Sequence, residues 1–229
     1  LLIFTDQGRV YGMKAWETPL GSRQSRGSHV RNLLESLRED ENIVSILPVS
    51  RELLEEPDDH YLLFATRLGL IKKTALSEYV RINRNGKYAL RFKIEGDSLV
   101  NVRSATNDHD IVMISTTGYA SRFSCGDIRA SGRVSGGVYG IKVGDRKGSG
   151  GGIVAGMVAM LSADEYILTI SKYGMAKRSR LGTAEKIHDT DASGAPKFED
   201  DGSPKMATDG YRRTKPGAKG VRTMKLDEE

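Results

Sequence analysis

Basic side chains recur at two places of a repeated pattern in this chain of 229 residues, and such side chains bind anions. The first place follows a glycine that ends an apolar run. It holds Arg9, Lys14, Lys72, Lys73, Arg122, Lys177, Arg178 and Arg180. The second place surrounds a later glycine block and holds Arg23, Arg26, Arg81, Arg84, Lys87, Arg129, Arg133, Arg212, Arg213, Lys215 and Lys219. Because Lys and Arg neutralise phosphates, and no aromatic platform accompanies them, the pattern predicts a stripe that binds duplex phosphates without reading bases.

No arrangement of residues predicts catalysis. The chain has one cysteine, Cys125, which excludes an internal disulfide, and its four histidines lack the spacing of a zinc site. Its aspartates stand at turns and strand ends, where hydrogen bonds to the backbone are their ordinary role. We therefore predict no catalytic residue, no metal and no cofactor in this chain.

The elements that position the basic residues are hairpins written four times. An apolar run leads to a hydroxyl residue that precedes a glycine by three positions. The hydroxyl residues are Thr5, Thr66, Ser115 and Ser171, and the glycines are Gly8, Gly69, Gly118 and Gly174. The glycines are 61, 49 and 56 residues apart, a period typical of propeller blades.

A second block and two apolar stretches complete each unit. Alternating residues, as in the segment from Tyr88 to Ile94, predict strands, so each unit contains four strands, as a propeller blade does. The sequence therefore predicts an all-β fold with blades near 1–49, 60–105, 110–161 and 165–226. A short helical turn is expected only at Ser50–Glu56, which is followed by Pro57.

Charge separates one segment from the rest. The chain carries a net charge of +5 with a pI near 9.2. Residues 186–210 hold three Lys against six Asp plus Glu and are rich in Gly, Ser and Pro. We predict a disordered acidic insertion there, because such a composition buries little apolar surface. The remainder is more basic than the total, which favours a polyanionic partner.

The residues also carry a family resemblance. The stretch Leu2–Pro19, the following Ser22–Gly27 and Val30–Leu34, and the later Arg133–Val143 resemble the C-terminal domain of the bacterial DNA gyrase A subunit. The resemblance covers 1–229 except the insertion, and residues 1–49 are its most specific part. The family's Q-R-R-G-G-K-G box has no match in this sequence, and by register it would precede Leu1.

The resemblance implies a β-pinwheel, a propeller-like ring of six blades that exchange strands. Four blades are present here, so we expect one further blade before residue 1 and one after Glu229. The family bends double-stranded DNA around a basic perimeter and thereby supports ATP-dependent negative supercoiling. The implied partners are duplex DNA, the N-terminal cleavage core of gyrase A and the gyrase B subunit, in an A2B2 holoenzyme. ATP, Mg and the cleaving tyrosine would reside elsewhere in that holoenzyme.

Two alternatives remain open from the sequence. The first is the C-terminal domain of the topoisomerase IV A subunit, which resembles this fold and selects DNA substrates. The second is a propeller that serves as a protein-interaction platform. The sequence has no run of apolar residues long enough for a membrane span, and we expect a cytoplasmic protein of the bacterial nucleoid.

Overall fold

The computed structural model describes residues 1–55, 57, 59–191 and 193–226, and it confirms the all-β prediction. The first unit contains β1 (Leu2–Thr5), β2 (Arg9–Gly12) and β3 (Ile43–Leu47). The second contains β4 (Tyr61–Thr66), β5 (Leu70–Ala75), β6 (Lys87–Tyr88) and β7 (Leu99–Ala105). The third contains β8 (Asp110–Ser115), β9 (Tyr119–Ser124), β10 (Val138–Tyr139) and β11 (Val154–Met160). The fourth contains β12 (Tyr166–Ile170), β13 (Ala176–Arg180), β14 (Lys186–His188), β15 (Met206–Thr208) and β16 (Val221–Arg222).

Helical structure is confined to short pieces. The helix α1 spans Arg51–Glu55, as predicted, and Glu56 lies outside the described residues. The Ser50 hydroxyl accepts a hydrogen bond from the backbone N–H of Leu53 at 3.3 Å, which caps this helix. Single 3₁₀ turns occur at Ala15–Glu17, Val30–Asn32, Leu76–Tyr79 and Cys125–Asp127.

The recurring hydroxyl and glycine build the same tight turn in every unit. The φ angles of Gly8, Gly69, Gly118 and Gly174 are +73°, +91°, +78° and +84°, a region that favours glycine. In each turn the hydroxyl oxygen accepts a hydrogen bond from the N–H of the residue after the glycine, as from Leu70 to Thr66 at 3.1 Å. The hydroxyl thus holds the turn that joins the two strands of each hairpin.

The sheets exchange strands between units. Three four-stranded sheets have the orders β3-β1-β2-β6, β10-β5-β4-β7 and β11-β8-β9-β16, so each outermost strand β6, β10 and β16 comes from the next unit. The N–H groups of Ala89, Gly140 and Thr223 donate to the carbonyls of the turn glycines Gly8, Gly69 and Gly118 at 2.8, 2.9 and 2.8 Å. The four strands of one unit therefore do not all lie in one sheet, and this strand exchange agrees with the family resemblance.

The core lies between successive sheets rather than within one hairpin. Phe4 of the first sheet packs edge-on against Phe64 of the second at 5.5 Å between ring centroids. Further buried clusters join the second sheet to the third, and the third sheet to Ile167 of β12 and to Leu181 and Tyr211. In contrast to these sheets, the β12–β13 hairpin remains two-stranded, and its Leu168 is 64% exposed. Packing between neighbouring units therefore stabilises the array.

The acidic insertion differs from its prediction. Instead of a disordered loop, residues 186–210 contain the paired strands β14 and β15 and further backbone hydrogen bonds, such as Lys197 N–H to the Asp189 carbonyl at 2.8 Å. Asp191 and Asp201 each accept hydrogen bonds from the serine two residues later, which closes two turns. Composition predicted correctly that few of its residues are buried, but these backbone pairings require no hydrophobic core. Residue 192 lies outside the described residues.

Candidate nucleic-acid interface

Three of the predicted phosphate-binding residues are buried, which corrects their assignment to an exposed rim. Lys72, Lys73 and Arg122 are 1%, 4% and 2% exposed. All three lie on the second strand of a hairpin, three or four residues after the turn glycine. The side chains of Lys73 and Arg122 face the next unit, whereas Lys72 pairs across the strands with Phe64, on the face that packs against the first sheet. The sequence pattern could not distinguish this buried face from the exposed one, because both carry Lys and Arg.

Lys72 joins two units through backbone carbonyls. Its Nζ donates to the carbonyl of Ala89 at 2.6 Å and to that of Arg133, and it lies 5.0 Å from the centre of the Phe64 ring. Burial and, to a smaller extent, the nearby Arg133 guanidinium lower the pKa of Lys72 to about 7. Lys72 is therefore a structural donor.

Lys73 has the same role at the boundary between the second and third units, and Arg122 has it at the boundary between the third and fourth units. Lys73 Nζ donates to the side chain of Asn107, in the link between β7 and β8, and to the Cys125 carbonyl of the third unit. Arg122 Nη1 donates to the carbonyls of Leu181, Gly182 and Tyr211 in the fourth unit at 2.9, 2.9 and 2.8 Å. Its Nε and Nη2 bind Asp110, which also pairs with Arg213. We call Lys72, Lys73 and Arg122 the buried clasp.

Three other predicted residues are partly buried. Arg9 has 13% of its side chain exposed, and it donates to the Asn85 carbonyl at 3.0 Å and lies 3.6 Å from a Glu41 carboxylate oxygen. Arg133 donates to the Glu78 carbonyl at 3.1 Å. Lys219 lies over the Tyr119 ring at 4.3 Å. The hydrogen bonds of Arg9 and Arg133 and the ring contact of Lys219 hold these three side chains against the fold.

The remaining predicted cations are exposed. They are Lys14, Arg23, Arg26, Arg81, Arg84, Lys87, Arg129, Lys177, Arg178, Arg180, Arg212, Arg213 and Lys215. Carboxylates hold some of them: Glu17 holds Arg84 at 2.6 Å, and Asp164 holds Arg180 at 2.7 Å. Phosphates must compete with these carboxylates, so the two arginines are weaker candidates than their exposed neighbours.

The structure adds a set of cations that the sequence reasoning missed. Arg91, Lys142 and Lys225 are exposed, and each stands three residues after the corresponding outermost-strand residue Tyr88, Tyr139 or Arg222. Their equivalence follows from the shared hydrogen bonds of the preceding residues Leu90, Ile141 and Met224 to the three turn glycines. We call these three residues the outer-strand cations. The alternating pattern after the second block was the available signal, and aligning the units on that block would have found them.

The described part of the chain offers no other site. Within it no three His, Cys, Asp or Glu side chains converge as metal ligands. Among its helices none is long and apolar enough to cross a membrane. Burial raises the pKa of the Cys125 thiol, so the thiolate that reactive cysteines require is disfavoured. The notable surface chemistry is thus the positive charge repeated just after the successive outermost strands.

Such an arrangement defines a class: a strand-exchanging, propeller-like β domain with a basic perimeter. A family described as the DNA gyrase C-terminal domain, beta-propeller, matches residues 1–50, 60–106, 109–149 and 205–229. The chain belongs to this DNA gyrase C-terminal domain family. The unmatched 150–204 contains most of the acidic insertion.

Individual relatives agree with the family. The DNA gyrase A protein of Deinococcus deserti is 42% identical over 80% of this chain, and that of Metamycoplasma arthritidis is 31% identical over 100%. The chain spans 22% and 21% of those relatives. A solved C-terminal domain of DNA topoisomerase IV superposes with a TM-score of 0.69 at 23% identity, covering 96% of this chain and 57% of the other. A solved DNA gyrase A C-terminal domain gives 0.61 at 18% identity, covering 99% and 78%, and both show the shared fold.

Proposed function

We propose that this chain binds and bends duplex DNA through its phosphates and serves the wrapping step of a DNA gyrase. The observation that carries the proposal is the recurrence of exposed cations three residues after the end of three successive outermost strands, at Arg91, Lys142 and Lys225. Successive blades then present positive charge at regular intervals along one edge of the array. Family membership supports the same function.

Electrostatics explains why the proposed binding to duplex DNA would not depend on the base sequence. Phosphate contacts provide affinity and register but no base readout. Bending a site of 20–30 base pairs costs about 1–6 kcal/mol, which several phosphate contacts must offset. The wrapped duplex would be presented to the N-terminal cleavage core of gyrase A and to gyrase B, in the bacterial cytoplasm, for ATP-driven strand passage.

A salt titration of a duplex of about 40 base pairs tests the binding. If about six to eight phosphates are neutralised, log affinity falls with log salt at a slope of about −5 to −7. The triple variant R91A/K142A/K225A should flatten the slope by about 2.7, because each contact contributes about 0.9. The variant K72M removes a positive charge from the buried clasp and should leave the slope unchanged.

The outcomes separate the alternatives. A slope near zero in the wild type, or discrimination between unrelated duplexes of equal length, would contradict DNA wrapping and favour a protein-interaction platform. In the complete enzyme, the triple variant should lower ATP-dependent negative supercoiling more than relaxation, because only supercoiling requires the wrap. An intact enzyme that relaxes DNA but never introduces negative supercoils would instead indicate the topoisomerase IV role.

A further inference from the structure

Two sheet corners, each with one exposed and one partly buried member, carry an arginine stacked on a tyrosine. The Arg146 guanidinium carbon lies 3.8 Å from the centre of the Tyr139 ring. The Arg222 guanidinium carbon lies 5.4 Å from the centre of the Tyr119 ring, and its Nη2 donates to the Tyr119 hydroxyl at 3.2 Å. Both distances are within the range of cation–π attraction.

These corners occupy one equivalent position in successive sheets. The residue after the turn glycine faces the outermost strand, which gives the cross-strand pairs Tyr119 with Arg222 and Leu70 with Tyr139. In the third sheet the tyrosine lies on the inner strand and the arginine on the outer strand. In the second sheet the tyrosine lies on the outer strand, the inner residue is Leu70, and Arg146 arrives from the following loop. The second sheet therefore also has a stacked arginine and tyrosine, although its arginine comes from a loop and not from a paired strand.

The first sheet shows a closed version of the same corner. Arg9 pairs across the strands with Tyr88, and its guanidinium lies 6.0 Å from that ring and 5.2 Å from the Tyr11 ring. It is already bound to the Asn85 carbonyl and faces Glu41. A nitrogen of each arginine, Arg9 Nε and Arg146 Nη1, is buried without a hydrogen-bond partner. By contrast with Arg9, however, the Arg146 side chain donates no hydrogen bond at all within the described part of the chain. The first corner serves the fold, whereas the second has unused donors.

We propose that Arg146 and Arg222 are two further phosphate-contacting residues, and that Tyr139 and Tyr119 are the positioning residues that hold them. This inference rests on the proposed duplex binding. The ring orients the planar guanidinium before DNA arrives, so less side-chain entropy is lost on binding. Exposed lysines flank both corners: Lys142 and Lys147 in the second sheet, and Lys225 in the third. Lys219 also lies over the Tyr119 ring.

The test compares paired variants of the whole chain on the same duplex of about 40 base pairs. Y139L/Y119L keeps every charge but removes both rings, and we expect affinity to fall about tenfold with an unchanged salt slope. Y139F/Y119F keeps the rings and should stay within about twofold of the wild type. R146Q/R222Q should flatten the slope by about 1.8. R51Q removes an exposed arginine of α1 and should leave the slope unchanged.

Each outcome has one meaning. A wild type without salt-dependent binding overturns the proposed function itself. A wild type that binds while R146Q/R222Q keeps its full slope overturns the assignment of these arginines. Equal affinities of Y139L/Y119L and the wild type overturn the positioning role of the tyrosines. Because Arg146 lies in a loop, the single variant R146Q supplies a readout even where the tyrosine variants lose stability.

Discussion

Lys72 and Lys177 occupy the same repeat position, three residues after a turn glycine, yet their surroundings differ. Lys72 donates to the Ala89 carbonyl at 2.6 Å, and Lys177 donates to the equivalent Thr223 carbonyl at 3.1 Å. Lys72 lies beside Phe64, on the face that packs against the first sheet, and also contacts the Arg133 carbonyl of the third unit, so it is buried, whereas Lys177 is exposed. The hairpin therefore fixes what the lysine binds, and the neighbouring unit fixes whether that contact is buried.

The position one residue further along repeats the contrast. Arg122 is 2% exposed and binds three carbonyls of the fourth unit, while Arg178 is exposed and lies 4.8 Å from the centre of the Tyr166 ring. An arginine at the same repeat position thus forms a buried contact between units in one case and an exposed surface charge in the other. Repetition of charge alone does not define a binding surface.

The largest effect is expected at Arg122. R122L removes the donor from three buried carbonyls and from Asp110, so the free energy of unfolding should fall by about 3 kcal/mol. The matched variant R178L changes the equivalent exposed residue and should stay within about 0.5 kcal/mol. Denaturant unfolding of both variants measures the difference. Equal losses of the free energy of unfolding would contradict the distinction between the buried Arg122 and the exposed Arg178.

A smaller effect is expected at Lys72. K72M leaves the carbonyls of Ala89 and Arg133 without this donor in a buried place, which should cost about 1–3 kcal/mol. K177M alters an exposed contact and should cost less than about 0.5 kcal/mol. Chemical denaturation with an unchanged m-value would report this difference. A larger loss of the free energy of unfolding in K177M than in K72M would contradict the structural role of Lys72.

The pH dependence of unfolding sharpens the comparison at Lys72. Its pKa is about 7 in the folded protein and about 10.4 in an unfolded chain. Between these values unfolding takes up a proton, so the free energy of unfolding should rise with pH. From pH 7 to pH 8 the wild type should gain about 1 kcal/mol relative to K72M. Parallel pH profiles of the two proteins would show that Lys72 has an ordinary pKa in the fold.

The smallest effect is expected from removal of the insertion. Residues 186–208 are mostly exposed, and their base is closed by hydrogen bonds from the Ala184 N–H to the Asp209 carbonyl and from the Asp209 N–H to the Glu185 carbonyl, at 3.0 and 2.9 Å. Replacing residues 186–208 by a two-residue Asn-Gly turn should change the free energy of unfolding by less than about 1 kcal/mol. A loss of several kcal/mol would show that the segment supports the neighbouring strands.

Much of the fold could be predicted because its signals are local. The glycine turns, the preceding hydroxyls and the alternating strands all follow from a few adjacent residues. The pairing of β6, β10 and β16 with the preceding unit could not be predicted from those residues, because a strand carries the same period of two whichever sheet it joins. The family resemblance supplied that feature. The disorder prediction for the insertion failed for a related reason, since composition does not register backbone pairing.

For the candidate interface, the sequence by itself determined the net positive charge and the positions of Lys and Arg near the recurring glycines. Only the tertiary structure decided which charges face solvent. It placed Lys72, Lys73 and Arg122 against carbonyls of the next unit, left Arg91, Lys142 and Lys225 exposed, and stacked Arg146 on Tyr139. The physical reason is that burial and stacking depend on which units become neighbours, whereas residue type depends on position within one unit.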